Sequence, residues 1–262
     1  MKIVIHPQLA QFSDFVKTVP WQFDKGGRVI YKKRNEIRVF DVQGCQLNVK
    51  RFQIPHLINR IVYSFFRPSK AERSYQYALR FRKMAIETPQ PVAYILIKSG
   101  GFLYDSYFIS LQADYNRTMY EFGEGGVKGR VHILESFAAF TAAIHEKGIF
   151  HKDYAPGNIL FKEENGAVQF CLVDLNRMRF GAVSVRKGCA NFARLWGQQP
   201  FFDVVVRKYA EIRGADPAAC LKSVLQARKK FWKRYTRKYP WPYEPEDEMK
   251  DATRCRVVDK VL

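Results

Sequence analysis

The stretch that most constrains this chain lies between residues 133 and 174, where local signals follow one another in a fixed order. Ile133, Leu134, Phe137, Phe140 and Ile144 recur at three- and four-residue steps, the spacing of an apolar stripe on a helix. Lys147-Gly148 closes that helix with the residue best suited to left-handed backbone. A polar loop follows, His151-Lys152-Asp153-Tyr154-Ala155-Pro156-Gly157-Asn158, and then the apolar run Ile159-Leu160-Phe161. Asn165-Gly166 is a strong hairpin signal, and the strand over 168–173 ends in Val173-Asp174. An Asp or Asn met alone in a loop is most often a turn residue. In this order they imply a buried helix, a loop, and a hairpin expected to return Asp174 beside that loop.

The periodicity on either side divides the chain. Before residue 112 it is mostly strand-like: 28–31, 36–42 and 46–52 carry β-branched and aromatic residues, separated by Lys32-Lys33-Arg34-Asn35 and Gln43-Gly44-Cys45 as turns. A polar, Arg-rich helix is expected over 69–85, closed by Pro89 and Pro91, and strands over 92–97 and 102–111 join through Ser99-Gly100-Gly101. Beyond Gln112 the pattern is mainly helical, with 191–239 reading as helix and a Pro-rich acidic end at 240–248. The fold expected is α+β in two parts. Residues 1–111 hold an antiparallel five-stranded sheet plus one helix, and residues 112–262 form a reduced, mainly helical part.

Composition excludes disorder: hydrophobic residues are 47% and aromatics 15%, enough apolar surface to offset the entropy of ordering 262 residues. Charge narrows the partners. Forty-four Lys and Arg against 25 Asp and Glu give +19, a field that attracts polyanions such as nucleotide phosphates, an anionic membrane face, phosphorylated glycolipid or nucleic acid. No ordered nucleic-acid-binding motif accompanies it, so nucleic acid is not the favoured partner. Cys45, Cys171, Cys189, Cys220 and Cys255 are widely spaced, odd in number and free of any CxxC pair, which fits a reducing compartment. The opening Met1-Lys2-Ile3-Val4-Ile5-His6-Pro7 is too short an apolar run for a secretory signal, and no stretch is long enough to span a bilayer; a cytoplasmic location is expected.

The loop and the strand-end Asp supply what phosphoryl transfer needs: hard oxygen ligands for metal ions bridging phosphates, and a carboxylate that orients the attacking hydroxyl. Asp153 is placed to accept the hydroxyl proton, Asn158 to reach Mg²⁺ from the same loop, and Asp174 to hold the metal on the phosphates. His151 is expected to support the loop through backbone hydrogen bonds, and His6, His56, His132 and His145, which share no ligand spacing, to be structural.

His151 to Asn158 followed by Asp174-Leu175-Asn176 resembles the catalytic loop and metal motif of the protein-kinase-like superfamily, with Lys152 for the usual Arg. That resemblance implies a two-lobed fold, a nucleotide-binding lobe over 1–111 and a catalytic, substrate-binding lobe over 112–262, with ATP and Mg²⁺ as cofactors. It also implies a strand lysine, Lys50, on the α and β phosphates and a helix glutamate, Glu72, steadying its ammonium; Glu87 is the alternative acid. Three departures stand out. No GxGxxG precedes Lys50, and Lys32-Lys33-Arg34-Asn35 would have to approach phosphates through charge. No Ala-Pro-Glu follows Asp174. Only residues 175–262 remain after it, too few for a full peptide-binding lobe.

Lys70-Ala71-Glu72-Arg73, His145 to Asp153, Asp174-Leu175-Asn176-Arg177 and Asn191-Phe192-Ala193-Arg194-Leu195 are together similar to the bacterial lipopolysaccharide kinase family, whose members phosphorylate Kdo or heptose sugars of the inner core. The resemblance implies ATP-dependent phosphorylation of a sugar hydroxyl on a glycolipid or sugar acceptor, at the cytoplasmic face of the inner membrane. The basic, aromatic run 228–239 has two readings, a segment for anionic headgroups and a solvated helix whose aromatics face the core. The alternatives within the fold are an atypical protein kinase, another small-molecule phosphotransferase, or a pseudokinase scaffold.

Overall fold

The computed structural model describes residues 1–53, 67–124, 126–245 and 249. His56, Cys255 and positions 246–248 of the acidic end lie outside the described residues. The chain divides into two compact units, Met1–Asp114 with Asp174–Asn176, and Tyr115–Val173 with Arg177–Leu262.

The first unit is built on an antiparallel sheet. Its strands are β1 (Lys2–Ile5), β2 (Arg28–Lys32), β3 (Glu36–Val42), β4 (Cys45–Arg51), β5 (Pro91–Ser99) and β6 (Phe102–Leu111), in the order β1-β5-β6-β4-β3-β2. The sheet therefore has six strands, not the expected five. The added strand is the N-terminal apolar run, too short to announce itself by alternation; its backbone finds partners on β5, with Ile3 opposite Ile95 and Ile5 opposite Ala93. Helix α1 (Ser13–Gln22) is also additional. Phe12, Val16, Val19 and Phe23 give it an apolar stripe at helical spacing, a signal masked by Pro20, which reads as a helix breaker but sits in the last turn.

Strand alternation then decides which side chains meet which helix. Leu47 and Val49 of β4, Ala93 and Ile95 of β5, and Tyr107 and Ile109 of β6 pack with the α1 stripe. The opposite face, Phe52, Tyr94 and Leu96, packs against Ala71 and Tyr75 of α2 (Lys70–Lys83), a helix capped by the Ser69 hydroxyl on the Glu72 amide. Lys50, one residue beyond Val49, is thereby turned to the α2 side, over the Phe52 ring at 5.1 Å.

The second unit is organised around α3 (Val131–Glu146), which packs on α5 (Gln199–Ile212). Ile133, Leu134, Phe137, Ala138 and Ile144 of α3 and Phe201, Phe202, Val205, Val206 and Tyr209 of α5 are buried. Gly148 takes φ 71° and ends α3, as the sequence requires. Strand β8 (Ile149–His151) pairs with β11 (Met178–Phe180), while β9 (Ile159–Glu164) and β10 (Ala167–Leu172) form the hairpin turned by Asn165 and Gly166, both at positive φ. The short β7 (Arg117–Thr118) extends that hairpin into three strands. Helices α4 (Val185–Asn191) and α6 (Pro217–Tyr235) complete the unit.

The run 228–239 resolves into a helix end whose aromatics, the exposed Tyr239 apart, face inward. Trp232 is 2% exposed and packs with Trp241 and Tyr243, with Phe231 and Tyr235 half-buried beside them. Arg228 is no surface cation: it is buried over the Phe202 ring at 3.8 Å and donates to the carbonyls of Leu195 and Gly197 and to the Tyr243 hydroxyl. The outward face keeps its lysines. Among the described residues no helix is long and apolar enough to cross a membrane.

Candidate active site

The catalytic-loop residues are fixed by their own backbone. His151 is fully buried; its Nε2 donates to the Val173 carbonyl at 3.2 Å and its Nδ1 accepts from the Asp153 amide at 3.0 Å, which selects the Nε2–H tautomer. Asn158 Nδ2 donates to the Asp153 carbonyl at 2.8 Å, leaving Oδ1, the atom able to ligate a cation, without a partner among the described residues. Tyr154 is buried and its hydroxyl meets Thr141 of α3 at 2.8 Å. Burial pushes the Tyr154 phenol far above its ordinary value, so it stays neutral.

A buried polar relay ties this loop to the helices. Arg213 donates to the Tyr209 hydroxyl, Tyr209 donates to His145 Nδ1 at 2.9 Å, His145 Nε2 donates to Asn191 Oδ1 at 3.0 Å, and Asn191 Nδ2 donates to the His151 carbonyl at 2.9 Å. Burial lowers His145 to about 4, keeping the imidazole neutral and its two nitrogens in opposite roles. His145 is structural, as its lack of ligand spacing suggests.

The carboxylate of Asp153 carries two ion pairs: Oδ1 to Arg194 at 2.7 Å and Oδ2 to Arg177 at 3.1 Å. Arg177 ends the three-residue turn Leu175–Arg177, and its carbonyl accepts from the Lys152 amide. Arg194 closes the turn after α4 and lies 5.0 Å from the Phe231 ring. The sequence placed both arginines inside family-like motifs without giving either a task.

In the first unit Lys50 Nζ and Asp174 Oδ1 are 2.5 Å apart, although 124 positions separate them in the chain. Asn176 also donates to Asp174. Asp174 has φ 57°, a left-handed backbone that an Asp tolerates better than most residues at a cost of order 1 kcal/mol. Glu72 does not join Lys50. Its carboxylate pairs with Lys2 at 3.5 Å and accepts from the Tyr94 hydroxyl at 3.1 Å, because β1 brings Lys2 to that end of the sheet and the nearer acid, Asp174, holds the Lys50 ammonium. Glu87, the alternative, pairs with Arg82 at 3.6 Å.

One residue the sequence passed over is Lys70, at the start of α2. Burial lowers its ammonium below the ordinary lysine value, the cations Arg34, Arg73 and Lys50 lower it further, and Asp174 opposes them. Arg34 belongs to the turn that stands where a glycine loop is absent. Around Lys70 the first unit thus gathers the cations Arg34, Lys50 and Arg73 with the acid Asp174, a composition suited to phosphates.

A model of the lipopolysaccharide kinase (Kdo/WaaP) family matches residues 31–208, about two thirds of the chain. The chain belongs to that family. Two solved structures share its fold at low identity. One, described as WaaP in complex with acyl carrier protein, is 17% identical with a TM-score of 0.59, covering 88% of this chain and 100% of the other. The second, a microcompartment-associated aminopropanol kinase, is 10% identical with a TM-score of 0.52, covering 92% and 93%. No curated protein matches. Membership of this kinase family supports phosphotransferase activity with ATP.

Proposed function

We propose that the protein transfers the γ-phosphoryl group of ATP to a hydroxyl of an inner-core lipopolysaccharide sugar, Kdo or heptose. The observation that carries this reading is the Lys50–Asp174 pair, a strand lysine and a strand-end acid at 2.5 Å in a chain of the lipopolysaccharide kinase family. In it, residues 1–111 bind nucleotide and residues 112–262 carry the catalytic loop and the acceptor. Lys50, Lys70 and Arg34 take the phosphates, doing by charge what a glycine loop does with backbone amides. Glu72 supports the α2 end of that site through Lys2 and Tyr94. Asp153 accepts the hydroxyl proton as the oxygen attacks the γ phosphorus.

Asp174 and Asn158 offer the hard oxygen donors Mg²⁺ takes, one carboxylate and one amide oxygen. Among the described residues no three His, Cys, Asp or Glu side chains cluster as a cage, which suits an ion held largely by nucleotide phosphates. When bound, Mg²⁺ would neutralise charge on the β and γ oxygens.

The protein works in the cytoplasm, at the inner face of the inner membrane. Exposed Lys222, Lys229, Lys230 and Lys233 recur along one face of α6 and supply a peripheral contact with anionic headgroups, each worth about 1 kcal/mol near such a surface. An acyl carrier protein, the partner in the WaaP complex, is the other occupant that face could take.

The test is incubation with ATP, Mg²⁺ and deacylated lipopolysaccharide core, read by mass spectrometry. A gain of one phosphate, lost in Asp174→Ala, supports the reading. Transfer onto protein instead favours an atypical protein kinase, and nucleotide binding without any transfer favours a pseudokinase.

A further inference from the structure

The arginines around Asp153 outnumber it. Arg177 and Arg194 each touch the carboxylate through Nη1 alone, one on each oxygen, and Arg194 Nη1 also reaches the Lys152 carbonyl at 3.3 Å. Among the described residues the Nε and Nη2 donors of both side chains have no partner, although a guanidinium fork is shaped to grip a carboxylate or phosphate with two donors at once. Burial is the main cause that lowers the half-buried Arg194; Asp153 opposes it, and the charges of Arg177 and of Arg234 of α6 add to it. Two guanidiniums thus share one carboxylate, with a third cation near Arg194. One donor from each arginine is enough to hold the Asp153 carboxylate in place, which leaves the other fork donors in surplus. An arrangement built to hold a second anion beside it needs this surplus.

We infer that Arg177 and Arg194 read a negative charge on the acceptor itself, a carboxylate or phosphate on the sugar close to the hydroxyl that Asp153 orients. The inference rests on the kinase reading and adds to it the two side chains that select the acceptor by its charge. An incoming anion takes the unused fork donors and draws the guanidiniums toward itself, which opens an Asp153 oxygen to the hydroxyl. A neutral sugar leaves both oxygens occupied. The substrate's charge then acts as both a binding determinant and a condition for proton acceptance.

Binding and turnover are measured separately, on the full chain, with two matched acceptor pairs: Kdo methyl glycoside against its carboxamide, and heptose phosphate monoester against heptose. Isothermal titration without ATP gives binding, and phosphate transfer with ATP and Mg²⁺ gives kcat and KM. The wild type is expected to bind at least one anionic member about tenfold more tightly than its neutral twin, the pair concerned telling carboxylate from phosphate. Arg194→Gln and Arg177→Gln should bring that ratio near one, Arg194→Lys should keep part of it, and rising salt should erode it. The half-exposed Arg177 guards against a variant that fails to fold. Equal binding of charged and neutral twins by the wild type overturns the inference, as does an unchanged ratio in both Gln variants. Discrimination in binding with no transfer to any sugar leaves the anion site standing and removes the kinase reading.

Discussion

The two candidate acids are held in opposite ways. Asp174, in the first unit, is bonded by the flexible ammonium of Lys50 and by its near neighbour Asn176, close to the further cation Lys70. Asp153, in the second, is gripped by two planar guanidiniums on a loop pinned through His151, Tyr154 and Asn191 to buried helices. A lysine on a four-carbon stem can release its acid to a metal ion at small cost, whereas a loop wired into the core keeps its carboxylate in place through turnover. In the proposed mechanism this difference suits the first unit to exchange of charge and the second to fixed orientation.

Breaking each half should therefore have its own signature. Asp174→Ala is expected to lower kcat by about a thousandfold or more, since it removes the carboxylate proposed to hold the metal on the phosphates; near-normal turnover would remove Asp174 from the mechanism. Asp153→Asn should cost about 10²- to 10⁴-fold in kcat and leave the KM for ATP nearly unchanged, the mark of a lost proton acceptor. A rise confined to the ATP KM would contradict that role.

The anchoring of the loop can be read by pH. His145 is lowered when folded, to about 4 from an ordinary 6.5, so the unfolded chain binds the proton first. Its contribution to stability is complete above pH 6.5 and is lost as pH falls toward 4, by about 3 kcal/mol over that window. Chemical denaturation of the wild type and of His145→Gln along a pH series checks this, and the variant should lack that component of the slope. Lys70→Ala should raise the KM for ATP about tenfold with a smaller change in kcat, as expected for a ground-state phosphate contact. An unaltered KM would leave phosphate binding to Lys50 and Arg34. The smallest effect is expected from Glu72→Gln, below about threefold in kcat/KM if Lys2 and Tyr94 are its functional partners. A loss near that of Lys50→Ala would mean that Glu72 reaches Lys50 during turnover.

Much of this site is legible because it is local. The Gly148 stop and the turn of Asn165 and Gly166 are short-range matters of backbone conformation and lie where the pattern of residues predicts, and Asn158 folds back onto the Asp153 carbonyl within one loop. The β1 strand and α1 are not legible in the same way. Four residues carry too little alternation to declare a strand, and a proline in the final turn conceals a helix whose stripe of Phe12, Val16, Val19 and Phe23 was nonetheless written in the chain. The basic segment 228–239, left with two readings by its sequence, is decided by packing. Its composition suits a surface, yet Arg228 and Trp232 are buried, because the helix turns its aromatic face to Trp241 and Tyr243.

By itself the sequence determined the elements and the chemistry available to them: which runs become strands or helices, where they stop, and that the loop offers a carboxylate, an amide and a supporting histidine. Only the tertiary structure decided the partners. Lys50 meets Asp174 across 124 positions, Glu72 is taken by Lys2, Lys70 joins a field of cations, and two arginines close on Asp153. The physical reason is range. Backbone conformation responds to neighbours a few residues away, while an ion pair goes to whichever opposite charge the packed elements bring within a few ångströms.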